Sequence, residues 1–348
     1  MLRMAANFDF CARPCFLFFF VLLFSHPTKA ADVTSTLVIG GSKIDVTIDA
    51  SQAPVSETDV MRWVKSAAES VTAYYGRFPV PRLSLDIVSF DGRGVRHGQT
   101  WGRDGGLIRV RVGSKTPPAV LADDWMLTHE MVHLAFPSLG DDQHWLEEGL
   151  STYVEPIARI QAGHWTALQM WSDVARDMSK GQPQEGDEGL DHTHTWGRTY
   201  WGGALFCFVA DVAIRKQTHN KKGLQDALRG VLDAGGDIRE DWDIEKALKA
   251  GDRAVGLNVL EKLYVQWKDK PVEVDLAAMW KKLGVEPDGA SVHLDDAAPM
   301  ASIRRAIVLG FSHRKARAAR SSSSPAATSS KPLAVFAGRT VGQRFPDC

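Results

Sequence analysis

The sequence predicts an α+β protein, with a small N-terminal lobe around a twisted β-sheet, a mostly helical C-terminal lobe and a cleft between them. Three observations predict this architecture. Stretches of alternating apolar and polar residues are confined to positions 34–112, and from position 123 onward apolar residues recur at helical spacing. The chain has 348 residues and is 44% hydrophobic, which is enough to fill a sizeable core.

The N-terminal lobe is predicted from strand patterns and one helix. Residues 34–39 and 43–48 alternate around Gly40-Gly41, which is typical of a β-hairpin. Residues 56–75 have a helical period of apolar side chains behind a polar, acidic start. Two further strands are predicted at 82–90 and 107–112, with a glycine-rich loop at 91–102 between them.

The C-terminal lobe is predicted to begin with two helices joined by a short loop. Asp123-Asp124 is placed to cap a helix over residues 125–136, which Pro137 ends. A second helix is expected from position 144 to about 160. A surface loop over 181–191 and helices at 199–217, 223–233, 244–250, 257–269 and 275–283 complete the prediction.

Both ends of the chain differ from the predicted domain, residues 31–312, whose β-rich lobe covers about 31–122 and whose helical lobe covers about 123–312. Residues 1–30 hold a basic start, an apolar run and small residues, which predicts a signal peptide cleaved after Ala30 and a secreted or periplasmic protein. The apolar run of nine residues is shorter than the roughly 20 that span a bilayer, so an uncleaved anchor is the weaker alternative.

The last segment, residues 313–348, predicts a disordered tail because it is rich in serine and carries seven Lys or Arg against one Asp. The net charge of the whole chain is −1, which gives no reason to expect a nucleic-acid partner. Cys207 lies in an apolar run and is predicted to be a buried small hydrophobe. Its pairing with Cys348 in an oxidising compartment is the less favoured alternative.

The main chemical signal is His129-Glu130-Met131-Val132-His133 on the predicted helix 125–136. Residues four apart lie on one helix face, so both imidazoles can bind the same ion. The pattern predicts a zinc site in the cleft, with His129 and His133 as ligands and Glu130 as the base that activates a zinc-bound water. The alternative interpretation is that the motif binds no metal, and that two histidines merely lie near an acid on one helix face.

Two histidines and a water leave zinc needing a third protein ligand. A loop after His133 leads to the segment Trp145-Leu146-Glu147-Glu148-Gly149 on the second helix. The loop is long enough for the second helix to fold back across the first. Glu147 and Glu148 point about 100° apart on a helix, so only one of them is expected to face the metal. Spacing alone leaves both candidates open.

The combination of His-Glu-x-x-His with Trp-Leu-x-Glu-Gly resembles the gluzincin zinc metallopeptidases, the thermolysin-like clan, and within it the alanyl and glycyl aminopeptidase families. The resemblance implies a zinc peptidase that acts on a peptide or protein substrate. It also implies that Glu148, immediately before the glycine, is the third ligand. The alternative to metal binding for Glu147 is that it orients a histidine. The gap between the two motifs is a few residues shorter here than in those families.

A third stretch, Tyr200-Trp201-Gly202-Gly203, resembles the Tyr-x-x-Gly start of a later helix in the same families. The resemblance implies that Tyr200 stabilises the oxyanion; a buried aromatic at a helix start is the alternative. His192 and His194, just upstream, are predicted to be solvated loop residues rather than cleft residues.

Residues 98–102 are the counterpart of the segment that leads into the substrate-binding edge strand of those families. They have no match to the Gly-x-Met-Glu-Asn motif with which alanyl aminopeptidases hold a free amine, so aminopeptidase and endopeptidase modes both stay open. A zinc-containing envelope binding or scaffold protein without catalytic activity is the main alternative, and hydrolysis of a non-peptide amide or ester is a third. The intact Glu130 favours an enzyme, because a structural zinc site does not need a base.

Overall fold

The computed structural model describes residues 32–50, 55–102 and 104–309. The predicted signal peptide (1–30), the predicted tail (313–348) and Cys348 lie outside these residues. Among the helices described, none is both long and apolar enough to cross a bilayer.

The N-terminal part is built on a five-stranded mixed sheet, which confirms the predicted α+β class. Its strands are β1 (Val33–Ile39), β2 (Ser42–Ile48), β3 (Arg82–Phe90), β4 (Val95–Gly102) and β5 (Gly106–Gly113). The order across the sheet is β1-β2-β3-β5-β4; β2, β3 and β5 run parallel, while β1 and β4 are antiparallel to their neighbours. Strand β4 therefore forms one edge of the sheet.

One face of the sheet is apolar and lies under helix α1 (Glu57–Tyr75). Because side chains alternate along a strand, every second residue of β2, β3 and β5 points into this layer. The buried residues on this face are Ile44, Val46, Ile48, Leu83, Leu85, Ile87, Ile108, Val110 and Val112. The β1–β2 hairpin is confirmed, and its turn uses Gly40 and Gly41 at φ of 56° and 85°, a backbone region that favours glycine.

The prediction of a loop over residues 91–102 is wrong for its last eight residues, Val95–Gly102, which form β4. Its glycines give the segment little strand propensity of its own, and it is extended because it pairs with β5 from Val95 to Gly102. The register shifts between Arg96 and Gln99, where His97 adopts a φ of 50°, so the strand carries a bulge at this point.

The rest of the described chain is mainly helical. After the short α2 (Pro118–Asp123) come α3 (Met126–His133), α4 (His144–Gln161), α5 (Ala167–Asp177), α6 (Gly203–Thr218), α7 (Leu224–Asp233), α8 (Ile244–Val255), α9 (Leu260–Trp267), α10 (Leu276–Leu283) and α11 (Ala301–Val308). Helix α4 lies at the centre and packs against α1, α3 and α6. The sequence prediction did not include α2, α5, α11 or the hairpin of β6 (Val285–Asp288) and β7 (Ser291–Leu294).

Helix α3 is shorter than predicted and ends at His133 rather than near position 136. The following backbone bonds to another segment instead of continuing the helix: Ser138 N donates to Glu240 O at 2.9 Å, and Trp242 N donates to Ser138 O at 3.0 Å. This exchange directs the chain away from the helix axis and leaves room for α4 to fold back.

The predicted surface loop over residues 181–191 is partly wrong, because several of its polar groups are buried. Asp187 forms a buried ion pair with Arg198, at 2.6 Å between Oδ2 and Nε. Leu190 and Asp191 are also buried. A segment rich in Gly, Glu and Asp enters the interior here because specific partners compensate its charges.

Candidate metal centre

Helix α3 presents His129 and His133 on one face. Trp125 occupies the N-cap position in place of the predicted aspartates, and Asp124, one residue earlier, accepts a hydrogen bond from Met126 N through Oδ1 at 3.0 Å. The two imidazole rings are 5.0 Å apart between centroids. Their side chains are only 4% and 12% exposed, so their nitrogens point into a confined space rather than into solvent.

Helix α4 places Glu148 opposite these two rings. Glu148 Oε2 lies 3.0 Å from His129 Nε2 and 3.6 Å from His133 Nε2. One nitrogen from each histidine and one carboxylate oxygen all lie within 4.8 Å of one another. The structure therefore brings together three side chains that are distant in sequence, with their ligand atoms directed at one point.

Glu147 points elsewhere. Its Oε1 accepts a hydrogen bond from Leu139 N at 3.1 Å, and its Oε2 lies 3.0 Å from His144 Nδ1. It thus ties the start of α4 to the loop that follows α3. Of the two adjacent glutamates, Glu148 is the one that faces His129 and His133.

A contact between two glycines sets the position of α4 relative to α6. A Cβ built on Gly149 would lie 2.2 Å from the Cα of Gly203, and a Cβ built on Gly203 would lie 2.0 Å from Trp145 O. Neither position has room for a side chain, so the helix backbones touch directly. The Trp-Leu-x-Glu-Gly and Tyr-x-x-Gly stretches identified in the sequence meet at this contact.

Tyr200 lies in a π-helical turn, Gly197–Gly202, immediately before α6. Such turns are rare, and many occur at functional sites. The Tyr200 ring stacks near His129, with 6.2 Å between centroids, and Trp196 stacks on the other side of Tyr200 at 5.8 Å. The side chain is half-buried and lies beside the histidine cluster. His192 and His194 are exposed, as predicted.

Glu130 is buried and turns toward the edge strand β4. Its Oε2 accepts a hydrogen bond from Thr100 Oγ1 at 2.6 Å, and its charge helps to raise the pKa of His133. The base candidate is therefore close to the cluster without being one of its three converging groups.

The electrostatics of the cluster favour a positive charge at its centre. Burial alone would raise the pKa of the Glu148 carboxyl, but the His133 charge and hydrogen bonds with His129, His133 and His144 hold that pKa well below its usual range. Burial lowers the pKa of His133, and Glu148 more than offsets this, so the pKa of His133 is raised. The negative charge of Glu148 and a positive charge on His133 therefore stabilise each other.

The donor set fits zinc. Two imidazole nitrogens and one carboxylate oxygen are the protein ligands of many catalytic zinc sites, which keep a further position open. A divalent cation at this point would replace the protons that otherwise balance Glu148. The residues present thus match what zinc requires in ligand type and in convergence.

The sequence interpretation missed His144, Thr100 and the role of the paired glycines. His144 Nε2 lies 3.3 Å from Glu148 Oε1, and its hydrogen bonds with Glu147 and then Glu148 raise the pKa of His144 to about 10. Its spacing of three and four residues before the two glutamates was a readable signal, because residues at that spacing meet on a helix. Thr100 carried no such signal, since its partner lies on a different element.

Comparison with solved structures shows what the fold is similar to. An aminopeptidase N family protein from Idiomarina loihiensis matches with a TM-score of 0.56 and 12% sequence identity, over 73% of this chain and 49% of that one. An M1 zinc metallopeptidase from Deinococcus radiodurans matches with a TM-score of 0.43 and 15% identity, over 70% of this chain and 54% of that one. No protein-family model matches the sequence, and no curated protein does.

The chain shares the fold of the Idiomarina aminopeptidase N family protein, as the sequence resemblance implies. It spans about half the length of the structures that it matches. At this level of identity the likeness concerns the fold, and the chemistry depends on the residues of the site.

Proposed function

We propose that this protein is a zinc-dependent peptidase of the gluzincin type, exported by its N-terminal segment. The observation that carries the proposal is the convergence of His129, His133 and Glu148 within 4.8 Å, the histidines from α3 and the glutamate from α4. In the proposed site these three residues hold the ion, Glu130 is the general base and Tyr200 stabilises the oxyanion.

When bound, zinc supplies a Lewis acid that lowers the pKa of water and polarises a carbonyl oxygen. Glu130, buried next to His129, takes the proton of the attacking water and passes it to the amine that leaves. The Tyr200 hydroxyl donates a hydrogen bond to the oxygen on which negative charge develops. Helix α4 packs against both α3 and α6, so one helix contacts the elements that carry the histidines and follow Tyr200.

The first test compares the purified protein with Glu130→Gln in zinc content and in cleavage of a peptide library. We expect about one zinc per chain in both, and a loss of turnover of about 10²–10⁴-fold in the variant, since the amide cannot accept the proton. A zinc-loaded wild type that cleaves no peptide would contradict the proposal and favour a binding or scaffold protein. Cleavage of esters alone would instead indicate a non-peptide substrate.

A second test assigns the third ligand by replacing Glu148 and Glu147 singly with Ala. Glu148→Ala is expected to release the zinc, whereas Glu147→Ala keeps it, because Glu147 bonds to the Leu139 amide and to His144. Equal zinc retention in the two variants would show that the assigned helix is wrong. Export is tested separately, by sequencing the N-terminus of the protein after secretion, which we expect to begin at Ala31.

A further inference from the structure

Strand β4 lies unusually close to helix α3, and its residue types explain why. Three alternate residues of the strand, Gly98, Thr100 and Gly102, are small. A Cβ built on Gly98 would lie 2.3 Å from Glu130 Oε1 on α3, whereas one built on Gly102 would lie 2.0 Å from Ile238 O, in the segment that follows α7. The strand therefore touches the side chain of Glu130, and a larger residue at position 98 would displace that carboxylate.

Thr100 is the one member of this set with a polar side chain, and its hydroxyl faces Glu130. Thr100 Oγ1 lies 2.6 Å from Glu130 Oε2 and 3.0 Å from Glu130 O. A hydroxyl has one hydrogen to donate. The carboxylate oxygen is the stronger acceptor and the nearer one, so it receives the hydrogen.

We propose that Thr100 is a positioning residue, whose hydroxyl fixes Glu130 Oε2 on strand β4 and leaves Oε1 to take the proton from water. This inference rests on the proposed function, because it assigns Thr100 a role through the base Glu130. Gly98 contributes to the same arrangement, because the absence of a side chain at position 98 leaves room for Glu130 Oε1 next to the strand. The edge strand thus sets the orientation of the base as well as forming one wall of the site.

Kinetics test the role with Thr100→Val, which keeps the shape of the side chain and removes the donor. We expect kcat to fall about 10–100-fold with KM changed less than about threefold, because misplacing a catalytic group affects the transition state. Zinc content should stay at the wild-type level. Thr100→Ser, which restores the hydroxyl, should recover kcat to within about threefold of wild type.

The matched control is Thr47→Val on β2, which is separated from β4 by β3 and β5; its kcat should equal that of wild type. Unchanged kcat in Thr100→Val, a change confined to KM, loss of zinc, or failure of Thr100→Ser to recover activity would each overturn the inference.

A measurement without activity separates this inference from the proposed function. In the metal-free protein, Thr100→Val is introduced into wild type and into Glu130→Ala, and the denaturant midpoint of unfolding is compared. We expect the substitution to lower the midpoint more in wild type than in Glu130→Ala, where the hydroxyl keeps only the backbone oxygen of residue 130 as an acceptor. Equal shifts in both backgrounds would overturn the contact. If wild type cleaves no peptide, the peptidase proposal fails, while this cycle still decides whether Thr100 holds Glu130.

Discussion

Two largely buried carboxylates near the start of α4 are compensated in opposite ways. Asp191 accepts from Trp145 Nε1 at 2.8 Å, Tyr264 OH at 2.6 Å and Gln143 Nε2 at 3.1 Å, all of them neutral donors. Glu148 instead faces only imidazole nitrogens, from His129, His133 and His144. The first carboxylate joins three parts of the chain, whereas the second is surrounded by groups that exchange protons.

The difference shows how a structural acid can be distinguished from a metal ligand. The donors to Asp191 are neutral groups. Burial and the hydrogen bond to Asp191 raise the pKa of Tyr264, which keeps its proton in place. In the histidine cluster the balance depends on protons. His129 Nδ1 is also buried without a hydrogen-bond partner among the described residues. This nitrogen is not the one that faces Glu148, which is Nε2, so the metal assignment depends on the converging ligand atoms alone.

The largest effect should come from exchanging each carboxylate for its amide. Glu148→Gln is expected to weaken zinc binding by more than about 100-fold, since changes to groups around the ligands already cost 10–100-fold. Asp191→Asn is expected to keep its zinc and to lower the free energy of unfolding by about 1–3 kcal/mol, because an amide NH₂ would oppose the donors. Metal analysis of both variants measures the bound zinc, and denaturant unfolding measures the free energy of unfolding. Similar losses of zinc in the two would remove the distinction.

A smaller effect distinguishes the two tyrosines that accompany these carboxylates. Tyr200→Phe should lower kcat about 100-fold and leave stability unchanged, because it removes only the proposed donor to the oxyanion. Tyr264→Phe should lower the free energy of unfolding by about 1–2 kcal/mol and leave kcat unchanged, because it removes a bond to Asp191. Each variant is the control for the other. Loss of stability rather than turnover in Tyr200→Phe would assign that ring a packing role.

The smallest effect is a pH dependence that only the histidine cluster should show. Protonated His133 cannot bind zinc, and its pKa in the metal-free protein is raised above the ordinary 6.5. As the pH is lowered, zinc affinity should therefore begin to fall while the pH is still above 6.5. It should then fall by about tenfold for each further pH unit. Zinc titrations between pH 8 and pH 5.5 measure this slope. A constant affinity over that range would show that His133 is not a ligand.

The sequence predicted the parts of the fold whose side chains repeat with a clear period. The β1–β2 hairpin, α1 and β3 lie where the alternation or helical period places them. The sequence predicts a loop where β4 lies, because its glycines interrupt the alternation of apolar and polar residues. Pairing with β5 makes the segment extended. The sequence likewise predicts a solvent-exposed loop at residues 187–191. Their burial depends on partners such as Arg198, which no local sequence pattern indicates.

The candidate site was predictable to the extent that its motifs are local. His129, Glu130 and His133 share one helix, so their spacing carries the information. The choice between Glu147 and Glu148 needed the angle at which α4 crosses α3, which the sequence does not contain. The bond from Thr100 to Glu130 joins a strand to a helix and became visible only in three dimensions.

The glycine contact between α4 and α6 also restricts how this protein can diversify. Adding even one methyl group to Gly149 or Gly203 meets backbone atoms, so no series of small substitutions can widen that crossing. In the proposed peptidase, the exposed positions of β4, such as Gln99 and Trp101, are free of this restriction and lie on the edge strand. A library for altered selectivity should vary these positions and keep both glycines fixed.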